Sequence, residues 1–167
     1  MSEAKIGDEF VTHEFDEAIA IQRSIVEAGE ALATTHPMPS AKRALKAAAA
    51  EDRKFLRQLE TMGKTYDATG KVEDVAAALN KLMSDTLSGA GKDAPDSEFY
   101  EAHAVLLTLK RKQMDGAGGM RRIATAIKDP ALRAASIAFE RAQRSSSVVL
   151  SRELAAFARK IAAAPAA

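Results

Sequence analysis

The 167-residue chain contains no cysteine and no tryptophan, and it has only five prolines and three histidines. Without cysteine it has no disulfide framework, no thiolate zinc site and no cysteine nucleophile. No apolar run reaches the roughly 18–20 residues that a membrane-spanning helix needs. The start of the chain, Met1 to Glu9, is polar and acidic, unlike a secretory signal. These absences favour a soluble, cytoplasmic protein.

Aromatic residues make up only 5% of the chain, and the low content of aromatic and β-branched residues argues against a β-sheet. Alanine, the strongest helix former, occurs in runs such as Ala47–Ala50 and Ala76–Ala78. The predicted fold class is therefore all-α. The length matches a single domain.

Apolar residues at spacings of three and four predict five helices. Their predicted ranges are 9–34, 41–62, 72–87, 96–115 and 130–163. The predicted N-caps are Ser40 for the second helix, Asp96 or Ser97 for the fourth, and Asp129 for the fifth. Pro130 is predicted in the first turn of the fifth helix, and Gly63 as the glycine that ends the second. Three glycines at 116, 118 and 119 predict a break after the fourth helix, because each costs roughly 1 kcal/mol relative to alanine. A further helical turn or two is expected over 120–128.

Four long helices with a short helix in the central connection are typical of a four-helix bundle with a long crossover. The bundle is predicted over residues 9–163, within one domain of residues 1–167. Residues 164–167 are expected to form a frayed tail.

The net charge of +1 conceals an uneven distribution along the chain. Residues 1–40 carry two cations and eight anions (−6), residues 41–119 carry +1, and residues 120–167 carry nine cations and three anions (+6). The acidic first helix and the basic last helix are therefore expected to lie side by side. Five arginines of the last helix share one arc opposite its apolar stripe: Arg133, Arg141, Arg144, Arg152 and Arg159.

Each of the four long helices has a polar residue within its apolar stripe. These predicted core polar positions are Gln22, Asp52, His103, Gln143 and Ser146. Buried polar groups cost about 1–3 kcal/mol when unpaired, so partners are expected. The predicted partners are an arginine for Asp52, a second glutamine for each glutamine, and a hydrogen bond for His103. His13 and His36, near the ends of the first helix, are expected to be solvated.

Two stretches resemble ferritin-like proteins. Residues 47–60 (AAAAEDRKFLRQLE) resemble the second helix of that fold, and residues 127–133 followed by 139–143 resemble the lead-in to its last helix. The spacing of the first two helices is similar to that of the stress-associated ferritin-like proteins of bacteria. The resemblance implies a ferritin-like bundle, a fold that houses a di-iron centre in other proteins, but one whose metal centre is absent here.

The ligands of a di-iron centre are mostly replaced in this chain. The fold's centre uses glutamates on two helices and a Glu-x-x-His pair on each of the other two. Here Gln22 stands where a glutamate is expected, Phe55 stands three residues after Asp52, and Gln143 and Ser146 replace the last pair. The residues left as metal-ligand candidates, for iron or manganese, are Asp52, His103, Glu51, Glu101 and Glu140.

The sequence leaves three functions open. The first, which we favour, is a non-catalytic helical bundle that associates with itself or with a protein partner, in a stress response or otherwise; it needs no cofactor. The second is a ferritin-like metal-binding protein or oxidoreductase with an atypical site around Asp52 and His103. The third is binding of a polyanion or a lipid surface by the basic last helix, with nucleic acid the less favoured partner.

Overall fold

The computed structural model describes residues 6–73 and 75–164, with side chains from residue 9 onward. In these parts of the chain the structure is all-helical and has no strand, which confirms the predicted fold class. The five α-helices are α1 (Ile6–Thr35), α2 (Pro39–Gly63), α3 (Val75–Gly89), α4 (Asp96–Ala126) and α5 (Pro130–Ala162). A 3-10 turn, Lys64–Tyr66, follows α2. Residues 165–167 of the predicted tail lie outside the described residues.

The helices α2 and α4 begin at prolines rather than at the predicted N-cap residues. Pro39 occupies the first turn of α2, and Met38, in extended conformation, is the N-cap. Ser40 therefore lies inside the helix, and its prediction as N-cap is wrong; its hydroxyl donates to Glu153 of α5 at 2.7 Å. Pro95 likewise precedes α4, so neither Asp96 nor Ser97 is its cap. Asp129 is confirmed as the N-cap of α5, since its carboxylate accepts from the backbone N–H of Leu132.

Gly63 does not end α2 in the way the sequence indicates. Its backbone is right-handed helical (φ −59°), and the left-handed residue is Asp67 (φ 55°), after the 3-10 turn. Gly63 is instead a point of close approach. A Cβ added there would lie 2.9 Å from Cδ1 of Ile19, so a larger residue at this level would require the Ile19 side chain to shift.

The predicted break at residues 116–119 is wrong, because α4 continues through all three glycines to Ala126. Buried residues among and beyond the glycines, Ala117, Met120 and Ala124, keep this segment packed against the rest of the protein. Tertiary burial of one helical face therefore outweighs the low helix propensity of three glycines.

The four long helices pack in a cycle in which α1 lies beside α2 and α4, and α5 lies beside α2 and α4. The pairs are antiparallel, as contacts at both ends of α1 and α4 illustrate: Glu17 with Lys112, and His36 with Phe99. The crossover from α2 to α4 carries α3, which packs against α1 and α4. In the described residues the backbones of α1 and α5 make no contact, so the prediction that the acidic and basic helices are neighbours is wrong.

The apolar core has two parts. The larger cluster includes Ile25, Leu106 and Phe157, and the smaller includes Phe15, Met120 and Leu132. Along α4, Lys110 and Gln113 fall between the residues of the two clusters. No helix in the described part of the chain is both long and apolar enough to cross a membrane.

Candidate functional site

A layer of five buried polar side chains crosses the interior between the two core clusters; we call it the polar layer. Its members are Gln22, Asp52, Lys110, Gln113 and Gln143. At its centre the Lys110 ammonium of α4 donates to Oδ2 of Asp52 on α2 at 2.7 Å. Both side chains are almost fully removed from solvent, 0% and 6% exposed. The predicted partner of Asp52, an arginine, is thus replaced by a lysine.

Three glutamines surround this ion pair. Nε2 of Gln143 donates to Oδ1 of Asp52 at 2.7 Å, and Nε2 of Gln22 donates to the backbone carbonyl of the same residue at 3.0 Å. Nε2 of Gln113 donates to Oε1 of Gln22 at 3.0 Å and to the carbonyl of Ala18 at 2.8 Å. Every long helix thus contributes at least one side chain to the polar layer.

The members of the polar layer stay paired because a buried polar or charged group without a partner destabilises the folded protein. Burial lowers the pKa of Lys110, and the charge and hydrogen bond of Asp52 act against that shift. Removing one partner of a buried ion pair leaves an uncompensated charge, which costs about 3–5 kcal/mol. The Oε1 atom of Gln143 has no hydrogen-bond partner among the described residues, so one acceptor is left over.

Lys110 and Gln113 are the members that sequence reasoning missed. Both continue the polar and apolar stripe of α4 beyond Leu109, at helical spacing. Both lie within the predicted fourth helix (96–115), but the predicted stripe ends at Leu109. Two predicted core positions, His103 and Ser146, lie outside the polar layer. Ser146 is only half-buried, and its hydroxyl donates to the carbonyl of Gln143.

The metal-ligand candidates are not brought together. Glu51 and Glu101 are exposed, with Glu51 paired to Lys54, and Glu140 is paired with two arginines. Asp52 is bonded within the polar layer, and His103 lies two turns of α4 away from Lys110. In the parts of the chain that are described, no three His, Asp or Glu residues are grouped to hold a metal ion.

The polar layer does not fit the di-iron centre that ferritin-like bundles house. It offers one carboxylate and three amides, and its fifth member is an ammonium group, which donates hydrogen bonds and cannot ligate a cation. Hard and borderline cations in such bundles need several carboxylates and imidazoles. The positive charge that balances Asp52 is supplied by the chain itself.

A second buried polar group is a pair of histidines, His36 and His103, at the end of the interior where α1 meets α4. Both are 0% exposed, so the prediction that His36 is solvated is wrong. Their rings are nearly perpendicular, with centroids 5.5 Å apart. Phe157 also packs on His36, at 4.6 Å between centroids. The short turn between α1 and α2 folds His36 inward, and Nδ1 accepts from the backbone N–H of Met38 at 3.1 Å.

This environment keeps both histidines neutral. Burial lowers the pKa of His36 to about 4, with Lys160 and Lys42 adding to the shift and Asp96 and Glu153 opposing it. Burial, and then His36, lower the pKa of His103 to about 4, against a small opposing effect of the Leu150 backbone. Nε2 of His36 and both ring nitrogens of His103 lack a well-formed hydrogen bond within the described structure.

The outer faces of α2 and α5 carry exposed cations that form no ion pair with another described residue. These are Arg43, Lys46 and Arg57 on α2, and Arg133, Arg141, Arg152 and Arg159 on α5. Because α2 and α5 are neighbours, the two sets lie on adjoining helices; together we call them the basic face. The fifth arginine of the predicted arc, Arg144, is exposed but paired with Glu140 at 3.2 Å.

Comparison with known proteins adds no identification. No family model matches the chain, and neither the curated proteins nor the solved structures contain a match to it.

Proposed function

We propose that the chain is a ferritin-like four-helix bundle, with α3 in its crossover, that acts without catalysis by associating with itself or with a protein partner. The long connection from α2 to α4 and the antiparallel packing of α1 on α4 support this arrangement. A cytoplasmic, bacterial and stress-related setting remains part of the same proposal.

The ion pair between Lys110 and Asp52 carries the non-catalytic part of the proposal. Catalysis in such a bundle needs ligands or titratable groups that are free to react. Here the carboxylate of Asp52, the acid within the polar layer, is occupied by an ammonium group at 2.7 Å and by two glutamine side chains. The polar layer therefore fixes how four helices meet, a use known for buried polar groups in coiled coils.

The charge distribution supports the association part. Because α1 and α5 are not in contact, the acidic residues of α1 and the basic residues of α5 form no ion pairs with each other in the described part of the chain. The basic face is left with seven unpaired cations on two neighbouring helices, which is a surface suited to an acidic protein surface. The acidic first quarter of a second copy has the complementary charge.

Sedimentation velocity over a range of protein concentrations at low and high salt tests this proposal. We expect a concentration-dependent oligomer at low salt that weakens as salt screens the charges. The double variant Arg141→Glu/Arg152→Glu should abolish it. The matched control, Arg122→Glu/Lys92→Glu, makes the same charge change at exposed positions outside the basic face. A monomer at every concentration and salt would contradict self-association.

A second candidate function, binding of a polyanion or an anionic lipid surface, is favoured by the same seven cations. Such binding must weaken steeply with salt, because it depends on release of counterions. Fluorescence anisotropy with a labelled oligonucleotide and flotation with phosphatidylserine vesicles measure the two forms of it. Binding that is absent, or that is insensitive to salt, would remove this candidate.

The metal-binding alternative, with iron or manganese held near Asp52 and His103, has the least support, because the two residues lie in separate groups. Elemental analysis of protein purified without chelators tests it directly. A stoichiometric metal would overturn the non-catalytic proposal.

A further inference from the structure

An open groove runs between α4 and α5 and is lined by residues of these two helices alone. It consists of two adjoining depressions with volumes of about 610 and 340 Å³, which share Glu140 and Arg144. Its apolar lining includes Met114, Ile137 and Val148, and Val148 is 47% exposed. Apolar side chains exposed within a charged rim are typical of surfaces that bind another protein.

Gly118 keeps the α4 side of this groove open. It lies four residues after Met114 and three before Arg121, so it is on the same face of α4 as these two lining residues. A Cβ added at Gly118 would meet no atom within 4 Å. A glycine inside a helix costs roughly 1 kcal/mol relative to alanine. Gly118 thus leaves room beside the groove that no described residue of the same copy fills.

The groove carries a net positive charge, because five arginines and only two acidic residues line it. The arginines are Arg111, Arg121, Arg141, Arg144 and Arg152. Both acids, Asp115 and Glu140, are already paired with arginines of the groove, at 3.2 to 3.5 Å. Arg141 and Arg152, which also belong to the basic face, form no ion pair with a described residue. An acidic segment with an apolar side chain therefore matches both the charge and the lining of the groove.

The first turns of α1 carry the complementary groups. Phe10 is 51% exposed, and Glu14 lies one turn after it on the same side of the helix. The carboxylates of exposed Glu9 and half-buried Glu14 form no ion pair or hydrogen bond with a described residue. Within one copy α1 and α5 are not in contact, so this segment can reach only the groove of another copy. None of the three residues lines the groove, so both surfaces of one copy can be occupied at once.

We propose that Glu9, Phe10 and Glu14 of one copy dock in the groove between α4 and α5 of a second copy. Phe10 packs against Met114 and Val148, and the two carboxylates lie beside the arginines. This inference rests on the self-association proposed above and names the two surfaces that carry it. Because these surfaces differ, the contact is heterologous, and association continues into a chain of copies or closes into a ring.

Two neighbouring valines of α5 provide a matched pair of variants. Val148 lines the groove, whereas Val149, 46% exposed, does not. In sedimentation velocity at low salt, Val148→Asp should weaken self-association at least about tenfold, because it removes an apolar contact and adds a charge that repels the docking segment. Val149→Asp should leave it unchanged. On the other surface, Phe10→Ser should weaken self-association to a similar extent, and Leu82→Ser, at a 46% exposed position of α3, should not.

Mixing the two weakened variants tests the heterologous contact directly. Each variant alone keeps only one of the two surfaces, so each should be a monomer where the unmodified protein associates. An equimolar mixture should form a heterodimer that grows no further, with Phe10 of the Val148→Asp protein in the intact groove of the Phe10→Ser protein. Unchanged circular dichroism and melting temperature of each variant show that it is folded.

Gly118→Leu gives an independent test that does not change any charge. Leucine is a better helix former than glycine, and its side chain would fill the space beside the groove, so this variant should stay folded and associate more weakly. Gly119→Leu is the control, since Gly119 is equally free of neighbours but lies about 100° further around α4. Equal association of the two valine variants or of the two glycine variants, or a mixture that stays monomeric, would overturn this inference and leave the proposed self-association standing. An unmodified protein that is monomeric at every concentration would contradict both.

Discussion

The ammonium group of Lys110 lies 2.7 Å from the carboxylate of Asp52, and this ion pair joins two helices, α4 and α2, whose backbones are not in contact. The contact crosses the interior of the helix cycle. The other diagonal of the cycle, between α5 and α1, is spanned by Gln143 and Gln22, with Nε2 of Gln143 3.4 Å from Oε1 of Gln22. The polar layer is therefore where all four long helices are tied to one another.

Lys110→Met should destabilise the protein by about 3–5 kcal/mol, because Asp52 would remain buried without its counter-charge. Urea unfolding followed by circular dichroism measures the change. Lys112→Met is the matched control, since its ion pair with Glu17 is partly exposed and should contribute only about 0–1 kcal/mol. The double variant Asp52→Asn/Lys110→Met should recover much of the loss. Equal losses for the two single lysine variants would contradict this account.

Stability should fall as the pH decreases from about 6.5 to about 4, because His36 and His103 are neutral in the folded protein. The unfolded chain binds protons in this range and the folded chain does not, so acid favours unfolding. A pKa lowered from 6.5 to about 4 corresponds to about 3 kcal/mol for each histidine at the acid end of the range.

Urea unfolding at a series of pH values measures this dependence. The double variant His36→Phe/His103→Leu should flatten the curve over the same window. A stability that does not vary with pH in the unmodified protein would show that the two rings are not held neutral by burial.

Gly118→Ala and Gly119→Ala should each stabilise the protein by about 0.5–1 kcal/mol, because both glycines lie within α4 and an added Cβ meets no neighbour within 4 Å. Gly70→Ala is the contrast. Its φ is +77°, and its Cβ would lie 2.6 Å from Cγ2 of Ile19, so this change should destabilise. Thermal unfolding of the three variants measures the difference. A loss of stability at 118 or 119 would show that the glycines serve a contact.

Asp129→Ala should cost about 1–2 kcal/mol, because the carboxylate caps α5 and also accepts from the hydroxyl of Tyr66 at 2.9 Å. These hydrogen bonds lower the pKa of Asp129, so its contribution is present at neutral pH and is lost only as the pH falls below the usual range of a carboxylate. Asp129→Asn retains a capping oxygen and should lose less. Thermal unfolding of the two variants at neutral pH checks the order, and an equal loss would contradict the role of the cap.

The sequence identified three of the five members of the polar layer but not Lys110 and Gln113. Gln22, Asp52 and Gln143 stand out because each interrupts an apolar stripe on its own helix. Their partners lie on other helices. Gln113 and Gln143, for example, lie 91 and 121 positions after their partner Gln22. Spacing within one helix carries no information about such pairs. Lys110 was missed because a lysine next to a stripe ordinarily extends to solvent.

The sequence by itself determined that the described chain is helical and where nine of its ten helix boundaries fall to within three residues. Alanine propensity, proline and the Asp129 cap set these boundaries, because they act over one or two turns. The tertiary structure decided the rest. It carried α4 through the glycines, separated acidic α1 from basic α5, turned His36 inward and selected Lys110 as the partner of Asp52. The physical reason is that these outcomes depend on which surfaces become buried together, and burial is decided among residues far apart in the chain.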